Sequence, residues 1–490
     1  MASLAFALAV LFPILSGIVI WCLPPFKKWK NSCLYVGVSL VLSAAFSAAY
    51  LCAPEETFEV FRITEDLPFV FRLDSCGKIF LVLTVFVWVL AGVYGFRYME
   101  KEKHTNRYFG CYLITLGVLV GLCAASNLVT MYAFYEFLTL ASFLLVLHEQ
   151  NHAAVMAALK YLFYSFFGAY LALFGIFFLM RYSTSLDFMP GGVLDVVAAD
   201  ANRKVLLLCL FLMLLGFGVK AGLFPLHAWL PTAHPVAPAP ASAVLSGIIV
   251  KAGVLASIRA IYYVFGASFM RDTWVQTVYL SLTLITVFMG SMLAFREKVL
   301  KKRLAYSTVS QLSYILFGIG MLNADCLNGA LFHVCAHGLI KVGLFLCAGV
   351  MIRMTGKTRV AELLGIGKQM PVTLWCFTIL SLGLIGIPPT AGFISKWHLA
   401  VGALSEAPGF FAYAGPVVLL ISALLTAGYL LPVTIRGFFP GEDYHYEAEK
   451  IREPLLMILP IGILTLLVVL LGVCPGEVLT YFTELTAQFI

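Results

Sequence analysis

The stretch Gly218-Val219-Lys220-Ala221-Gly222-Leu223-Phe224-Pro225-Leu226-His227 decides the reading of this chain. The run before it, Lys204 to Val219, is apolar enough to read as a membrane helix. At its end stands a lysine, with Gly218 and Gly222 on either side and Pro225 five residues on. A lysine at that depth is expensive to bury unless it has a partner or a task. The glycine and proline beside it predict that the helix is broken there. Non-helical backbone at membrane depth is tolerated where it lines a cavity or a site, not where it faces lipid.

Composition extends this reading to the whole chain. Of 490 residues, 61% are hydrophobic and 12% charged, and the mean hydropathy is +0.96. A soluble globular chain carries about 25% charged residues, so the expected fold class is an all-α polytopic membrane protein. The net charge of +7 includes no long basic tract, so no nucleic-acid partner is expected. Twelve cysteines are scattered, many inside apolar runs (Cys111, Cys123, Cys209, Cys335, Cys347), and no C-x-x-C occurs. They read as small buried hydrophobes, so no cofactor ligand set, iron–sulfur or haem, is expected in this chain. So many unpaired thiols suit a reducing or anaerobic cell. The N-terminus lacks a basic leader region and a clean cleavage site, so Ser3 to Cys22 reads as a retained first span.

Fourteen spans are predicted, at 3–22, 32–52, 77–97, 108–125, 128–147, 153–180, 204–230, 240–266, 274–295, 304–322, 328–354, 371–400, 411–436 and 454–474. The seventh and twelfth are long and interrupted, the twelfth by Pro388-Pro389. Residues 476–490 are too polar to span. Basic groups follow odd-numbered spans: Lys27, Lys28 and Lys30; Arg97, Lys101, Lys103 and Arg107; Arg296, Lys298, Lys301, Lys302 and Arg303; Arg353, Lys357, Arg359 and Lys368. Acidic groups (Glu55, Glu56, Glu59, Glu65, Asp66) follow the second span. The positive-inside rule then places the basic loops, and the charged segment Gly441 to Glu453, in the cytoplasm and both termini outside a cell inner membrane. Phe58 to Ile63 alternates roughly and predicts an external hairpin strand.

Charges inside the spans are the candidate functional groups. Glu136 sits in the middle of span five, where a carboxylate is neutral, paired or hydrated. It reads either as half of a packing salt bridge or as a proton or cation site governed by Lys220. Burial favours the neutral lysine and a nearby carboxylate favours the charged one, so a Glu–Lys pair can toggle. Lys251 lies at mid-depth one span later; Arg259, eight residues on, either snorkels or pins the helix end. His333, His337 and Lys341 are spaced four and four and form one polar stripe suited to proton relay. The alternative is satisfied core histidines; a zinc-protease motif is excluded because the intervening residues hold no carboxylate. Lys396 follows a second proline–glycine break, Gly386-Ile387-Pro388-Pro389-Thr390-Ala391-Gly392, echoing the first. Two such breaks in corresponding positions predict inverted repeats of five helices, spans four to eight and nine to thirteen. The divisions are 1–107, 108–266, 274–436 and 454–490. Lys160 and the Tyr306, Ser307, Ser310, Gln311 and Ser313 face of span ten would add polar lining. His227 and His234 either admit protons or cap a proline-rich turn.

These motifs together resemble the antiporter-like subunits shared by respiratory complex I (the L, M and N subunits of NADH-quinone oxidoreductase), membrane-bound energy-converting hydrogenases and Mrp-type Na+/H+ antiporters (the D subunit). The resemblance covers nearly the whole chain. It is carried by Tyr135-Glu136, by KAGLFPLHAWLPTAHPVAPAPASAVLSGIIVK from Lys220 to Lys251, by Lys302 to Gln311, and by Pro388-Pro389 to Lys396. It implies fourteen helices, two inverted repeats and ion translocation along a central hydrated axis. It makes Glu136 and Lys220 the pair of the first half, Lys251 the bridging lysine, His333, His337 and Lys341 the connection, and Lys396 the terminal group. Without a long lateral helix the chain reads as a medium-length member. Its Trp229 to Pro235 turn is closer to the hydrogenase and complex I branch. The resemblance implies partners: other antiporter-like and small membrane subunits, lipids, and a hydrogenase-like or quinone-reducing arm, where any iron–sulfur, nickel–iron or quinone sites would lie. The translocated ion is H+ or Na+. A non-transporting scaffold is the contrasting expectation.

Overall fold

In hydrocarbon an apolar run satisfies its backbone by coiling into an α-helix, and helices dominate this chain. The computed structural model describes residues 2–22, 28–64, 67–405, 409–441 and 450–490. Lys27, Glu65, Asp66 and most of the loop between Gly441 and Glu453 lie outside the described residues. In chain order the main elements are α1 (Ala2–Cys22), α2 (Trp29–Leu51), β1 (Phe58–Arg62), β2 (Pro68–Phe71), α3 (Ser75–Tyr98), α4 (Thr105–Ala124), α5 (Leu128–Val146) and α6 (His152–Tyr182). They continue with α7 (Arg203–Lys220), α8 (Ala239–Phe265), α9 (Trp274–Arg296), α10 (Leu300–Gly320), α11 (Ala324–Thr355) and α12 (Pro371–Ile385). The last are α13 (Ala391–Ser405), α14 (Phe410–Phe438), α15 (Leu455–Val473) and α16 (Gly476–Thr486).

Among the described residues, 11 helices are long and apolar enough to cross a membrane: α1 to α6, α8, α9, α11, α14 and α15. The others depart for readable reasons. Three basic residues, Arg203, Lys204 and Lys220, interrupt the apolar character of α7. Helix α10 opens on Lys301-Lys302-Arg303 and continues through a row of serines. Helices α12 and α13 are 15 residues each, separated by the Pro388-Pro389 break.

Burial sorts the helices into two layers. Helices α8, α10 and α11 are buried almost throughout, and they carry most of the internal charge. Helices α1, α2, α14 and α15 turn leucines and valines outward, such as Leu4, Leu34, Leu424 and Leu466. Lipid tails supply no hydrophobic drive between helices, so close approach through small residues does that work. Gly168 of α6 and Gly216 of α7 face each other so closely that a Cβ on either would collide with the other's carbonyl oxygen.

Loop contacts define two faces. On one, Leu300 N donates to Thr358 O (3.0 Å), Lys301 Nζ to Ala237 O (2.8 Å) and Gly365 N to Arg436 O (3.0 Å). This face carries the basic groups that follow α3, α9 and α11. On the other, β1 pairs antiparallel with β2 from Phe58↔Phe71 to Arg62↔Pro68, and Phe71 bridges to Ala125. Residues 58–62 thus form the hairpin strand that their alternation predicts.

Asp74 holds that second face together. Its side chain caps α3 by accepting from Gly77 N (2.9 Å) and receives both arms of Arg259 (2.5 and 2.6 Å). The guanidinium lies over the rings of Phe188 (4.8 Å) and Tyr263 (4.3 Å). Arg259 therefore does not snorkel; it pins the end of α8 to the start of α3.

Both this ion pair and a buried histidine have consequences for stability. Removing one member of a buried ion pair leaves an uncompensated charge and costs about 3–5 kcal/mol. Asp74→Ala should lower the unfolding midpoint of the purified protein accordingly, and Arg259→Met added to it should recover much of the loss. A double variant no more stable than the single one would show that charge is not what the pair contributes. The histidine is His148, between α5 and α6. Burial, with the Arg107 and His104 cations beside it, lowers its pKa to about 4 from an ordinary 6.5. Between these values the unfolded chain takes a proton that the folded chain refuses, so stability falls as pH drops through that window. His148→Gln should flatten this part of the profile of unfolding temperature against pH.

Candidate functional site

Helix α7 ends at Lys220 because its backbone cannot continue as helix through the turn from Gly222 to Pro225. Gly222 adopts φ +75°, a left-handed geometry natural to glycine, and the Phe224–Pro225 peptide is cis. The freed carbonyls find partners: Leu223 N donates to Gly218 O (2.8 Å) and Trp229 Nε1 to Val219 O (2.8 Å). The Lys220 ammonium is fully buried. It donates to Tyr135 O (3.0 Å) and Thr139 Oγ1 (2.9 Å) and stands 3.7 Å from the centroid of the Tyr135 ring. Glu136, on the same turn of α5, is half-buried, and its Oε1 has no hydrogen-bond partner. The two charges are neighbours that act on each other, but they form no ion pair within 4 Å among the described residues. The expected pair is thus adjacent and open, with the lysine satisfied by neutral groups.

Lys251 lies in a part of α8 bracketed by π-helical turns, Leu245–Ile249 and Arg259–Phe265. Such turns widen the helix and often mark functional positions. Lys251 Nζ is 2.8 Å from His337 Nδ1 and 3.5 Å from Ser246 O. An ammonium only donates, so while Lys251 holds its proton Nδ1 accepts and a neutral His337 carries its own hydrogen on Nε2.

The stripe on α11 connects two regions. The rings of His337 and His333 are 5.8 Å apart. His333 Nδ1 is 2.8 Å from Ser395 Oγ, next in sequence to Lys396 on α13. Tyr314 of α10 lies between, its ring 5.7 Å from His333 and 4.9 Å from the Lys396 ammonium. Lys341, one turn from His337, instead reaches α10, donating to Leu304 O (2.9 Å) and Ser307 Oγ. At the second break Gly386 has φ +93° and the Pro388–Pro389 peptide is cis. Here Lys396 Nζ donates to Leu384 O (2.6 Å) and Ile385 O (3.0 Å), the last carbonyls of α12. That is where the negative end of a half-helix favours a cation.

The structure therefore joins Lys251, His337, His333 and Lys396 into one chain of contacts. No direct hydrogen bond links Lys220 to Lys251 among the described residues. His234, on the short helix Leu230–Val236, is fully buried against Phe345 (ring centroids 4.7 Å), and neither ring nitrogen is bonded. His227 is half-buried at the turn with Nδ1 unpartnered. Lys160 is half-buried on α6, 6.0 Å from the Tyr164 ring centroid. No three His, Cys, Asp or Glu side chains converge as a metal-ligand set among the described residues.

Sequence reasoning missed Thr139, Ser395, Tyr314 and Asp74. Their signals were faint. Thr139 is one turn from Tyr135, Ser395 adjoins Lys396, Tyr314 extends the serine-rich face of α10, and Asp74 directly precedes an apolar run.

Known proteins resemble this chain in sequence and fold. Residues 125–425 match the family described as "NADH:quinone oxidoreductase/Mrp antiporter, TM", and residues 63–109 match "NADH-Ubiquinone oxidoreductase (complex I), chain 5 N-terminus". The chain is 32% identical over 421 residues to the N subunit of the NADH-quinone oxidoreductase of Desulforudis audaxviator, covering 83% of this chain and 82% of that protein. It is 28% identical over 405 residues to the D subunit of the Na(+)/H(+) antiporter of Bacillus subtilis, covering 82% and 80%. Its fold is that of a chain in the Mrp complex from Dietzia sp. DQ12-45-1b, with a TM-score of 0.85 at 21% identity over 99% of this chain and 97% of that one. By the family match across most of its length and by its similarity to the Desulforudis protein, this chain belongs to the NADH:quinone oxidoreductase/Mrp antiporter transmembrane family.

Proposed function

We propose that this chain is the proton-translocating membrane subunit of a redox-driven complex of the complex I or hydrogenase type. The observation that carries the reading is the row of buried lysines and histidines between the two helix breaks, held by neutral acceptors. A lysine locked to a carboxylate keeps its proton; one held by carbonyls and hydroxyls in a dry setting can release it. Buried polar atoms are almost always bonded in proteins. Here Glu136 Oε1, His333 Nε2, His337 Nε2 and both nitrogens of His234 are not. These are atoms that water would satisfy.

In this reading the Glu136–Lys220 neighbours close and open under a driving event elsewhere in the complex. Lys220 passes its proton towards Lys251, His337 and His333 carry it on, and Lys396 completes the path. Lys341, His234, His227 and Lys160 supply the connection to the basic face. The chain then crosses the membrane fourteen times, with α7 and the short helix after it counted as one span and α12 with α13 as another. Two inverted five-helix repeats, 108–266 and 274–436, an inner-membrane location with both termini outside, and neighbouring antiporter-like and small membrane subunits belong to the same reading.

A second reading, a subunit of an Mrp-type Na+/H+ antiporter, is favoured by the similarity to the Bacillus antiporter protein and by the fold shared with the Mrp complex. The same buried groups serve both. Copurification separates them: a redox arm favours the first reading, and small membrane subunits without redox centres favour the second.

In proteoliposomes containing the intact complex, Lys220→Ala should abolish coupled ion transport while leaving subunit composition unchanged. Full transport by an assembled Lys220→Ala complex would remove the mechanism, and loss of assembly would favour a scaffold role. Thr139→Val keeps the shape but removes one acceptor from the Lys220 ammonium. It should lower the transport rate about tenfold or more, matching the about 1.5–3 kcal/mol attached to a charged hydrogen bond, with assembly intact. An unchanged rate would show that this contact does not tune Lys220.

A further inference from the structure

We propose that the chain carries a binding site for the phosphate headgroup of an anionic phospholipid, on the face where its basic groups lie. The site is a cavity of about 420 Å3 lined by Arg97, Glu100, Lys101, Arg353, Met354, Pro454 and Met457. Three elements meet there: the end of α3, the end of α11 and the start of α15. Three cations and one carboxylate line it, and a second carboxylate, Glu102, binds Arg353 from beside the cavity. The local charge is therefore positive.

Its donors are preset. Arg353 gives one N–H to Glu102, and its guanidinium lies 5.4 Å from the centroid of the Tyr98 ring. Arg97 gives one N–H to Glu100. A guanidinium has five N–H donors in a planar fork that matches phosphate oxygens. Each arginine thus keeps donors for a phosphodiester while its existing bonds limit the conformational freedom lost on binding.

The surroundings of the cavity point to a lipid and not to a free anion. Leu455, Leu456 and Leu459, on the first turns of α15, are 75%, 48% and 51% exposed. They follow Pro454 in sequence and belong to the outward apolar surface of α15, so an amphiphile held by its headgroup in the cavity has apolar protein surface within reach of its acyl chains. Basic pockets between helix ends at the membrane surface bind such headgroups through this combination of charge and apolar flank. The occupant would join the ends of three helices, among them α11, which carries His333, His337 and Lys341.

The test uses the purified complex and native mass spectrometry. Phosphatidylglycerol is titrated in against phosphatidylcholine, with inorganic phosphate as competitor. The wild-type complex should retain phosphatidylglycerol in preference to phosphatidylcholine. Arg97→Gln/Lys101→Gln/Arg353→Gln should weaken that binding about tenfold or more, since charge-assisted bonds to phosphate are the strong ones. Arg97→Gln alone should weaken it less, which keeps the test usable if the triple variant fails to assemble. Arg296→Gln/Lys298→Gln, on the same face and outside the lining of the cavity, should leave it unchanged. Undiminished binding in the assembled site variants, equal loss in the remote variant, or equal retention of phosphatidylcholine would overturn the proposal. Displacement by inorganic phosphate at matched concentration would also overturn it, by showing a site for free anions.

Discussion

The constraint on which the rest depends is the buried ammonium of Lys220. Nothing makes an apolar interior accept a cation except specific partners, and this one has a backbone carbonyl, a hydroxyl and an aromatic face. All belong to α5, so the lysine fixes how α7 sits against α5. The carbonyl of Tyr135 also accepts from the hydroxyl of Thr139, which bends back to the same oxygen (3.2 Å), giving that turn two donors on one acceptor. Glu136 stands on this turn without closing a pair. A closed carboxylate–lysine pair is stable in one charge state; a lysine on neutral acceptors lies closer to the balance between two. Any role in which a proton leaves that lysine depends on this second arrangement.

The same balance is struck differently at the second break. Lys220 ends its own half-helix and reaches across to another helix. Lys396 begins near the foot of α13 and reaches back to the final carbonyls of α12. At Lys396 the break supplies what an intact helix would withhold, whereas Lys220 takes a carbonyl and a hydroxyl of the unbroken α5. An α-helix consumes its carbonyls internally, and only its last turn leaves them free. Proline and glycine thus provide acceptors at depth, where water is scarce. The buried ion pair of Arg259 with Asp74 behaves in the opposite way. It is bidentate, flanked by rings and placed at the edge of the bundle, which suits anchoring more than exchange.

Much of this was legible in the residues because a membrane simplifies the rules. Long apolar runs appear as helices, the Pro–Gly clusters at 222–225 and 386–392 appear as interruptions, and the spacing of His333, His337 and Lys341 puts them on one face. Contact between distant segments was not legible. Asp74 and Arg259 are 185 residues apart, and nothing local in either marks the other. Thr139 and Ser395 have no outward sign of service, since a hydroxyl in a helix ordinarily bonds its own backbone. Helix α10 is polar by composition yet buried, because it is surrounded by protein on every side. The sequence reads its serines and Gln311 as polar lining, but not which helices they meet. The π-helical turns around Lys251 were equally invisible, as no residue pattern distinguishes them from ordinary helix in Leu245–Ile249.

The histidines explain why the central contacts are able to join lysines at all. Two ammonium groups facing each other in a dry interior would repel strongly, so lysines cannot be stacked directly into a path. A neutral imidazole between them accepts from one side and donates on the other without adding charge. His337 meets Lys251 through Nδ1, and His333 meets Ser395 through Nδ1, leaving both Nε2 atoms unpartnered. A proton accepted at one nitrogen makes the other nitrogen the natural place of release, and the ring must then turn or be reset to accept again. The stripe therefore sets neutral rings between cationic sites. Its placement on α11, buried along its length and fixed at Lys341 to α10, holds that spacing.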